Sequence, residues 1–240
     1  MTIIFHPSNS RGHANHGWLE ANHSFSFARY FDPEKMNFGA LRVLNDDKIA
    51  PNMGFGTHPH DNMEIITVPL SGVLKHKDSM GEKWLTVEAG EVQVMSAGTG
   101  IFHSEMNAST SEDLRLFQIW ITPNRMSVEP RYDQRHFEQM SSGELQILVE
   151  SMNDFQLESS LKIYQDAQIS RVNLNAGDGY NYHLKSETHG VYVMQVFGAS
   201  TIDNQELQQR DAVGISNANQ FLIEAQQDGQ LLFIEVPMNS

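Results

Sequence analysis

The chain has 240 residues, 40% of them apolar, enough to bury one large core or two smaller ones. A formal charge of −14, of which −5 lies before residue 141 and −9 after residue 140, argues against direct binding to nucleic acid or to an anionic membrane. The absence of cysteine excludes disulfides, thiolate metal sites and thiol nucleophiles, so any metal must sit on histidine and carboxylate.

No apolar run approaches the roughly 18 residues of a membrane span, and the opening MTIIFHPSNSRGH lacks the basic-then-apolar layout of a secretion signal, so the chain reads as cytoplasmic. In RGHANHGWLEANHSFSF, His13, His16 and His23 are read first as turn residues and only second as pocket residues. The aromatic run FSFARYF, Phe25 to Phe31, is assigned to core packing, and Pro33 to Met36 to a short helical turn. GTHPHDNMEIITVPLSG, Gly56 to Gly72, then enters a strand. VLKHKDSMGEKWLTV reads as a hairpin with Ser79-Met80-Gly81 in its turn, and His76 on it either lines the barrel or faces solvent. GEVQVMSAG and RLFQIWI, Arg115 to Ile121, are further strands. The polar segment Pro123 to Glu144 carries two prolines and no sustained period, which places the connection between domains there. Beyond it LQILVES, SLKIYQDAQISRVNL, GVYVMQVFGASTI, DAVGIS, NQFLIEA and GQLLFIEVP supply a second strand series, with DNQELQQRD, around Leu207, as a short helical turn. The expectation is an all-β chain of two tandem barrels, residues 1–135 and 136–240.

Chemistry concentrates in the first half. Side chains alternate along a strand, so His58 and His60 share a face, and Glu64 joins them if no bulge intervenes. Pro59 between the histidines suits an edge or a strand entrance. In GEVQVMSAGTGIFHSEM, a glycine-rich turn at Gly98 and Gly100 leads to His103 and Glu105, again two residues apart. These pairs, about 45 residues apart on strands of one barrel, can converge on a point. Three imidazoles and a carboxylate suit Fe(II), Ni(II), Cu(II), Mn(II) or Zn(II) rather than Ca(II) or Mg(II); the donors do not rank that set, within which Fe(II) is the first expectation. The second half has no H-x-H and is expected to carry no metal.

The two stretches resemble the first and second cupin motifs. GTHPHDNMEIIT, HKDSMG, MSAGTGIFHSEM and QIWI together resemble the pirin family, a bicupin group, with the likeness specific over residues 11 to about 135 and weak beyond. The resemblance implies metal ligation by His58, His60, His103 and Glu105, whereas cupins at large use the carboxylate matching Glu64; on the pirin pattern Glu64 becomes an outer partner orienting a histidine. Ser96 stands where general cupins have proline, and Asp61-Asn62-Met63 where pirins commonly have Arg-Gly-Phe. The resemblance further implies quercetin 2,3-dioxygenase activity, opening the central ring of a flavonol with O₂ and releasing carbon monoxide. Glu105 is the candidate base, Glu64 the reserve, and Phe55, Phe102, Met95 and Met106 the candidate apolar slot. The alternative it implies is a non-enzymatic, metal-dependent regulator that binds a transcription factor or a metabolic enzyme.

Overall fold

A computed structural model describes residues 1–81 and 83–239; Glu82, directly after the expected hairpin turn, lies outside the described residues. Apart from one 3-10 turn at Ser8–Ser10, the regular elements among the described residues are all strands. They form two barrels, each from a seven-stranded and a four-stranded sheet, the tandem arrangement expected from the alternating apolar segments and of the bicupin kind that the family resemblance implies.

In the first barrel the large sheet runs Arg131–His136, Glu91–Ser96, Glu64–Ser71, Leu114–Ile121, Leu41–Ile49, Leu19–His23, Gly12–Asn15. The small sheet runs Gly54–His60, Ile101–Asn107, Val73–Asp78, Leu85–Glu88. Two of these elements depart from the sequence expectation. The segment Pro123 to Glu144 is not structureless: Arg131–His136 pairs in register with Glu91–Ser96 as an edge strand. Half-exposed on both faces, it has no apolar side to produce a period-two signal. The first strand, Thr2–His6, pairs with Ala212–Ser216 and thus belongs to the second barrel's sheet, so the chain begins in one barrel and crosses to the other. Neither suspected helical turn forms. Around Leu207 the chain makes the short strand Gln205–Leu207 and a turn with Arg210 at φ 71°, and Pro33–Met36 is a turn and bend.

The two large sheets face each other through a single apolar core. It joins Leu41, Ile66, Phe117 and Ile119 of the first barrel to Leu148, Tyr192, Leu232 and Ile234 of the second. Each such fully buried aliphatic side chain contributes roughly 1.5–3 kcal/mol, so neither barrel is independent of its partner. The second barrel's interior is filled by Tyr182, Phe221, Phe233 and aliphatic side chains. In the first, apolar packing of Leu19, Ile49, Leu74, Val87, Leu114 and Leu116 is confined to part of the interior.

Two glycines fix the strands that matter next. Gly98 has φ +48°, and a Cβ there would lie 2.0 Å from Val128 O, so the turn leading to His103 accepts no side chain. At Gly54 a Cβ would meet Glu105 O at 2.1 Å, so the absence of a side chain lets the strand Gly54–His60, which carries the extra residue of a bulge between Phe55 and His58, close onto Ile101–Asn107.

Candidate metal centre

Gly54–His60 is an edge strand, as Pro59 demands, and pairs antiparallel with Ile101–Asn107 so that His58 faces His103. The pairing shifts register between His103, which faces His58, and Glu105, which faces Phe55, so the extra residue of the bulge lies on the Gly54–His60 strand. The alternation holds on both strands. The rings of His58 and His60 lie 4.9 Å apart, His58 and His103 4.3 Å, and His60 and His103 4.8 Å between centroids. Ligand atoms of His58, His60 and His103 fall within 4.8 Å of one another, and so do those of His76, His103 and Glu105. The structure therefore brings the expected residues together as two overlapping groups of three that share His103.

The donor atoms are prepared for a cation. Both ring nitrogens of His103 and Oε1 of Glu105 are buried without a hydrogen-bond partner among the described residues, an arrangement that is costly unless something else satisfies them. His58 Nδ1 lies 2.8 Å from Gly56 O; donating there leaves Nε2 as the free lone pair. Gln118 Nε2 donates to Glu105 Oε2 at 3.1 Å, and Gln118 Oε1 in turn accepts from Thr67, which fixes the carboxyl and leaves Oε1 open. Burial, followed by the neighbouring imidazoles His58, His60 and His76, lowers the His103 pKa to about 2, and burial with His58 lowers that of His60 to about 4. Both rings are neutral at pH 7, the state a ligand requires. Burial raises Glu105 to about 7, against the Gln118 hydrogen bond.

His76, directly opposite Glu105 in the strand register, is fully buried. Its nitrogens are already engaged, Nε2 with Asp78 Oδ2 at 3.1 Å and Nδ1 with the Gln93 amide at 3.4 Å, and its ring stacks on Tyr132 at 4.8 Å. This makes it a wall behind His103 rather than a free donor.

The cluster opens into a cavity of about 460 Å³ walled by Trp18, Phe27, Phe55, Ile65 and Trp120, with Asn45, Asp47 and Gln118 as its polar members. Trp120 sits edge-on to both His60 and Phe27.

Sequence comparison matches residues 4–121 to the family described as Pirin and residues 148–236 to the Quercetinase C-terminal cupin domain. The quercetin 2,3-dioxygenase of Escherichia coli (strain K12) is 44% identical over 235 residues, 98% of this chain and 99% of that protein. The pirin-like protein of Caulobacter vibrioides is 42% identical over 230 residues, 95% of this chain and 97% of that one. Among solved structures, the bacterial pirin YhhW of Escherichia coli in complex with nickel(II) superposes with a TM-score of 0.91 at 41% identity, covering 98% of this chain and 99% of that one. The chain belongs to the pirin family.

A divalent metal fits the site of this pirin, because the ring nitrogens of His103 and Oε1 of Glu105 are buried and unpartnered among the described residues, and ligand atoms of His58 and His60 lie within 4.8 Å of that of His103. Its donor set does not select one ion among the borderline metals. The second half, where the resemblance read from the sequence was weak, is matched over most of its length as a cupin.

Several expectations about the site are corrected. Glu64 does not join the histidines. Residues 61–63 interrupt the strand, Asn62 taking φ 44°, and Glu64 starts a new strand in the other sheet. Its carboxylate accepts from Ser96 Oγ at 2.7 Å and from the Tyr164 backbone, against the second barrel, with its pKa raised to about 7 by burial. It neither lines the cavity nor orients a histidine among the described residues. Of the expected slot residues, Phe55 alone lines the cavity. Phe102 and Met106 stand at odd offsets from His103 and Glu105, which point inward, and so face the other way; Phe102 is 56% exposed. Met95 packs with Ile65, Ala97 and Ile101 instead. In FSFARYF, Phe25 is core as expected, Phe27 reaches the cavity and Phe31 is exposed. Of the early histidines, His23 is buried behind the cavity on Asn45 Oδ1 at 2.8 Å, whereas His13 bonds Asn22 at the surface.

Asp47, like Gln118, is a site residue that sequence reasoning missed. It is 5% exposed and lines the cavity, and its Oδ1 has no partner. Burial, then the charges of Asp46 and Glu105, raises its pKa to about 8. A signal was present in LRVLNDDKI: Asn45 and Asp47 fall on the face that Ile49 turns inward, while Leu44 points to the other.

Proposed function

We propose that this chain is a metal-dependent dioxygenase that opens the central ring of a flavonol such as quercetin with O₂ and releases carbon monoxide. The observation that carries the reading is the cluster His58, His60, His103 and Glu105 at the base of an aromatic-walled cavity. The names of the relatives and the nickel(II) complex of YhhW support it.

On this reading His58, His60, His103 and Glu105 hold one divalent ion, Fe(II) or another borderline metal. When bound, the ion supplies Lewis-acid stabilisation of negative charge on the flavonol 3-oxygen. The other tasks fall to the protein. Glu105, which faces the cavity beside the histidines, is the group that accepts the 3-hydroxyl proton, and Gln118 holds its carboxyl in place for it. Trp18, Phe27, Phe55 and Trp120 bracket a planar ring system and exclude water from the reacting edge. Asp47 and Asn45 are the polar groups on the wall, available to ring hydroxyls. A volume of about 460 Å³ lies within the roughly 300–1,000 Å³ of small-molecule sites.

The test is multiple turnover. Anaerobically purified, metal-loaded protein is expected to consume one O₂ and release one carbon monoxide per quercetin over many cycles. His58→Ala is expected to lose this by at least about 10²-fold with its circular dichroism unchanged. Stoichiometric or absent conversion by fully loaded protein would overturn the proposal.

A further inference from the structure

A second cavity, of about 790 Å³, lies where the two barrels meet. It shares no lining residue with the metal pocket, although the strand Leu114–Ile121 walls both. Gln118 and Trp120 face the metal pocket from that strand, and Arg115 and Phe117 face the larger cavity. Its lining gathers three arginines and a histidine, Arg115 and His136 from the first barrel and Arg171 and Arg210 from the second. The whole chain has only 16 lysines and arginines against 30 acidic residues, so this cavity reverses the sign of the molecule. One carboxylate, Glu138, is in the lining; it is exposed and reaches only His136, at 3.7 Å.

These cations are not equivalent. Arg210 is neutralised and fixed, with Nε 3.1 Å from Asp46 Oδ2 and its guanidinium 5.0 Å above the Phe117 ring. Arg171 is half-buried and has only neutral partners. Nε donates to Gln146 Oε1 at 2.7 Å and Nη2 to Phe137 O at 3.4 Å, leaving Nη1 without a protein partner among the described residues. Neither Arg171 nor Arg115 has a carboxylate within 4.0 Å among the described residues. A partly desolvated guanidinium without a counter-charge is unfavourable, and Arg115 adds a like charge near Arg210. An anion bound in the cavity that all three line would offset both terms. The lining is mixed, with an apolar patch of Val68, Phe117, Phe197 and Leu232 beside the cations, and this combination suits an anion attached to a hydrocarbon body.

We propose that the inter-barrel cavity binds a small organic carboxylate, its charged end taken by Arg171 and Arg115 and its apolar or aromatic body lying against Phe117, Phe197 and Leu232. The planar fork of Arg171 presents the geometry that a carboxylate accepts in two parallel hydrogen bonds. The site is independent of the metal centre and of the reaction proposed there.

The experiment is equilibrium dialysis of the full chain, treated with chelator, against 1-naphthoate, its neutral analogue 1-naphthamide, and inorganic phosphate. Naphthoate is expected to bind at one site per chain, with naphthamide and phosphate each at least about tenfold weaker. Arg115→Gln, at an exposed position where folding is not at stake, is expected to weaken naphthoate at least about fivefold. Arg171→Gln is expected to weaken it at least about tenfold, with Arg171→Lys recovering part of the loss because charge returns without the fork. His58→Ala should leave naphthoate binding unchanged. Absence of binding at about 10 mM probe, equal binding of naphthamide, equal or tighter binding of phosphate, indifference to both Arg115→Gln and Arg171→Lys, or loss in His58→Ala would each overturn the proposal.

Discussion

Asp47 offers a test in which stability and activity should move in opposite directions. Its carboxyl is buried with Oδ1 unpartnered, and its pKa rises from 3.8 to about 8, chiefly through burial and then through Asp46 and Glu105. A raised carboxyl pKa means that the native state holds the proton more tightly than the unfolded chain does. Below about pH 4 both states are protonated and the group has no effect. Between pH 4 and 8 the unfolded state ionises first, so native stability is lost as pH rises, and above pH 8 the loss is complete. A shift of about four units at 1.36 kcal/mol each sets a ceiling of roughly 5–6 kcal/mol, which water entry and relaxation reduce. Asp47→Asn removes the ionisation at almost constant volume. In urea unfolding of chelator-treated protein, the variant should match the wild type near pH 4 and exceed it by at least about 2 kcal/mol at pH 8. Asp47→Leu, which also removes every hydrogen bond to a bound ring hydroxyl, should raise KM for quercetin about tenfold, the worth of one such bond. A stability difference that does not change with pH would show that Asp47 is not a buried acid with a raised pKa. An unchanged KM in Asp47→Leu would remove it from the substrate wall.

Exchange of the two candidate bases should separate them: Glu105→Gln is expected to lower kcat by about 10²-fold or more, whereas Glu64→Gln, outside the cavity, should retain kcat within about threefold in steady-state assays. The reverse order would return the base to Glu64. Gln118→Ala frees the Glu105 carboxyl and should weaken metal binding about 10–100-fold in competition with a chromogenic chelator, while circular dichroism stays constant. Tyr192 fills the inter-barrel core against Phe25 and Phe38 and bonds His6 Nδ1 through its hydroxyl at 2.8 Å. Tyr192→Ala should therefore lose about 3–5 kcal/mol, and Tyr192→Phe about 1 kcal/mol, each in a single denaturation transition because the core belongs to both barrels.

Alternation explains both what the sequence revealed about the site and what it hid. His58 with His60, and His103 with Glu105, were legible because a separation of two residues on one strand is a local property that a bulge on the partner side does not disturb. Glu64 was misplaced by the same rule. An even offset carries meaning only along an unbroken strand, and Asn62 in the left-handed region ends the first strand before Glu64 begins the next. Phe102 and Met106 were placed in the pocket against the rule, since their odd offsets from His103 and Glu105 turn them outward. Gln118 and Asp47 depend on pairings far apart in sequence. The strand Leu114–Ile121 lies between Leu41–Ile49 and Glu64–Ser71, which puts Leu116 beside Asp47 and Gln118 beside Asn45 and Thr67. Only that register shows that a glutamine in a mostly apolar strand holds a carboxyl from a neighbouring sheet.

The two barrels share an architecture, so their chemistry must differ through inward-facing residues. Where the second barrel turns Tyr182, Phe221 and Phe233 inward, the first turns His58, His60, His103 and Glu105. Polar groups inside a barrel withdraw apolar packing from it, and the first barrel's own cluster is correspondingly the smaller. The deficit is made good outside the barrel, because Phe117, Ile119 and Ile121 alternate with Gln118 and Trp120 on one strand and anchor the shared core. The strand that shapes the reactive wall thus also joins the first barrel to an apolar neighbour, which is how a cavity of unpartnered donors is held in a stable chain. On this argument the second barrel is a structural condition for the site in the first. Weakening the inter-barrel core should loosen the metal site before it exposes the interior of the second barrel.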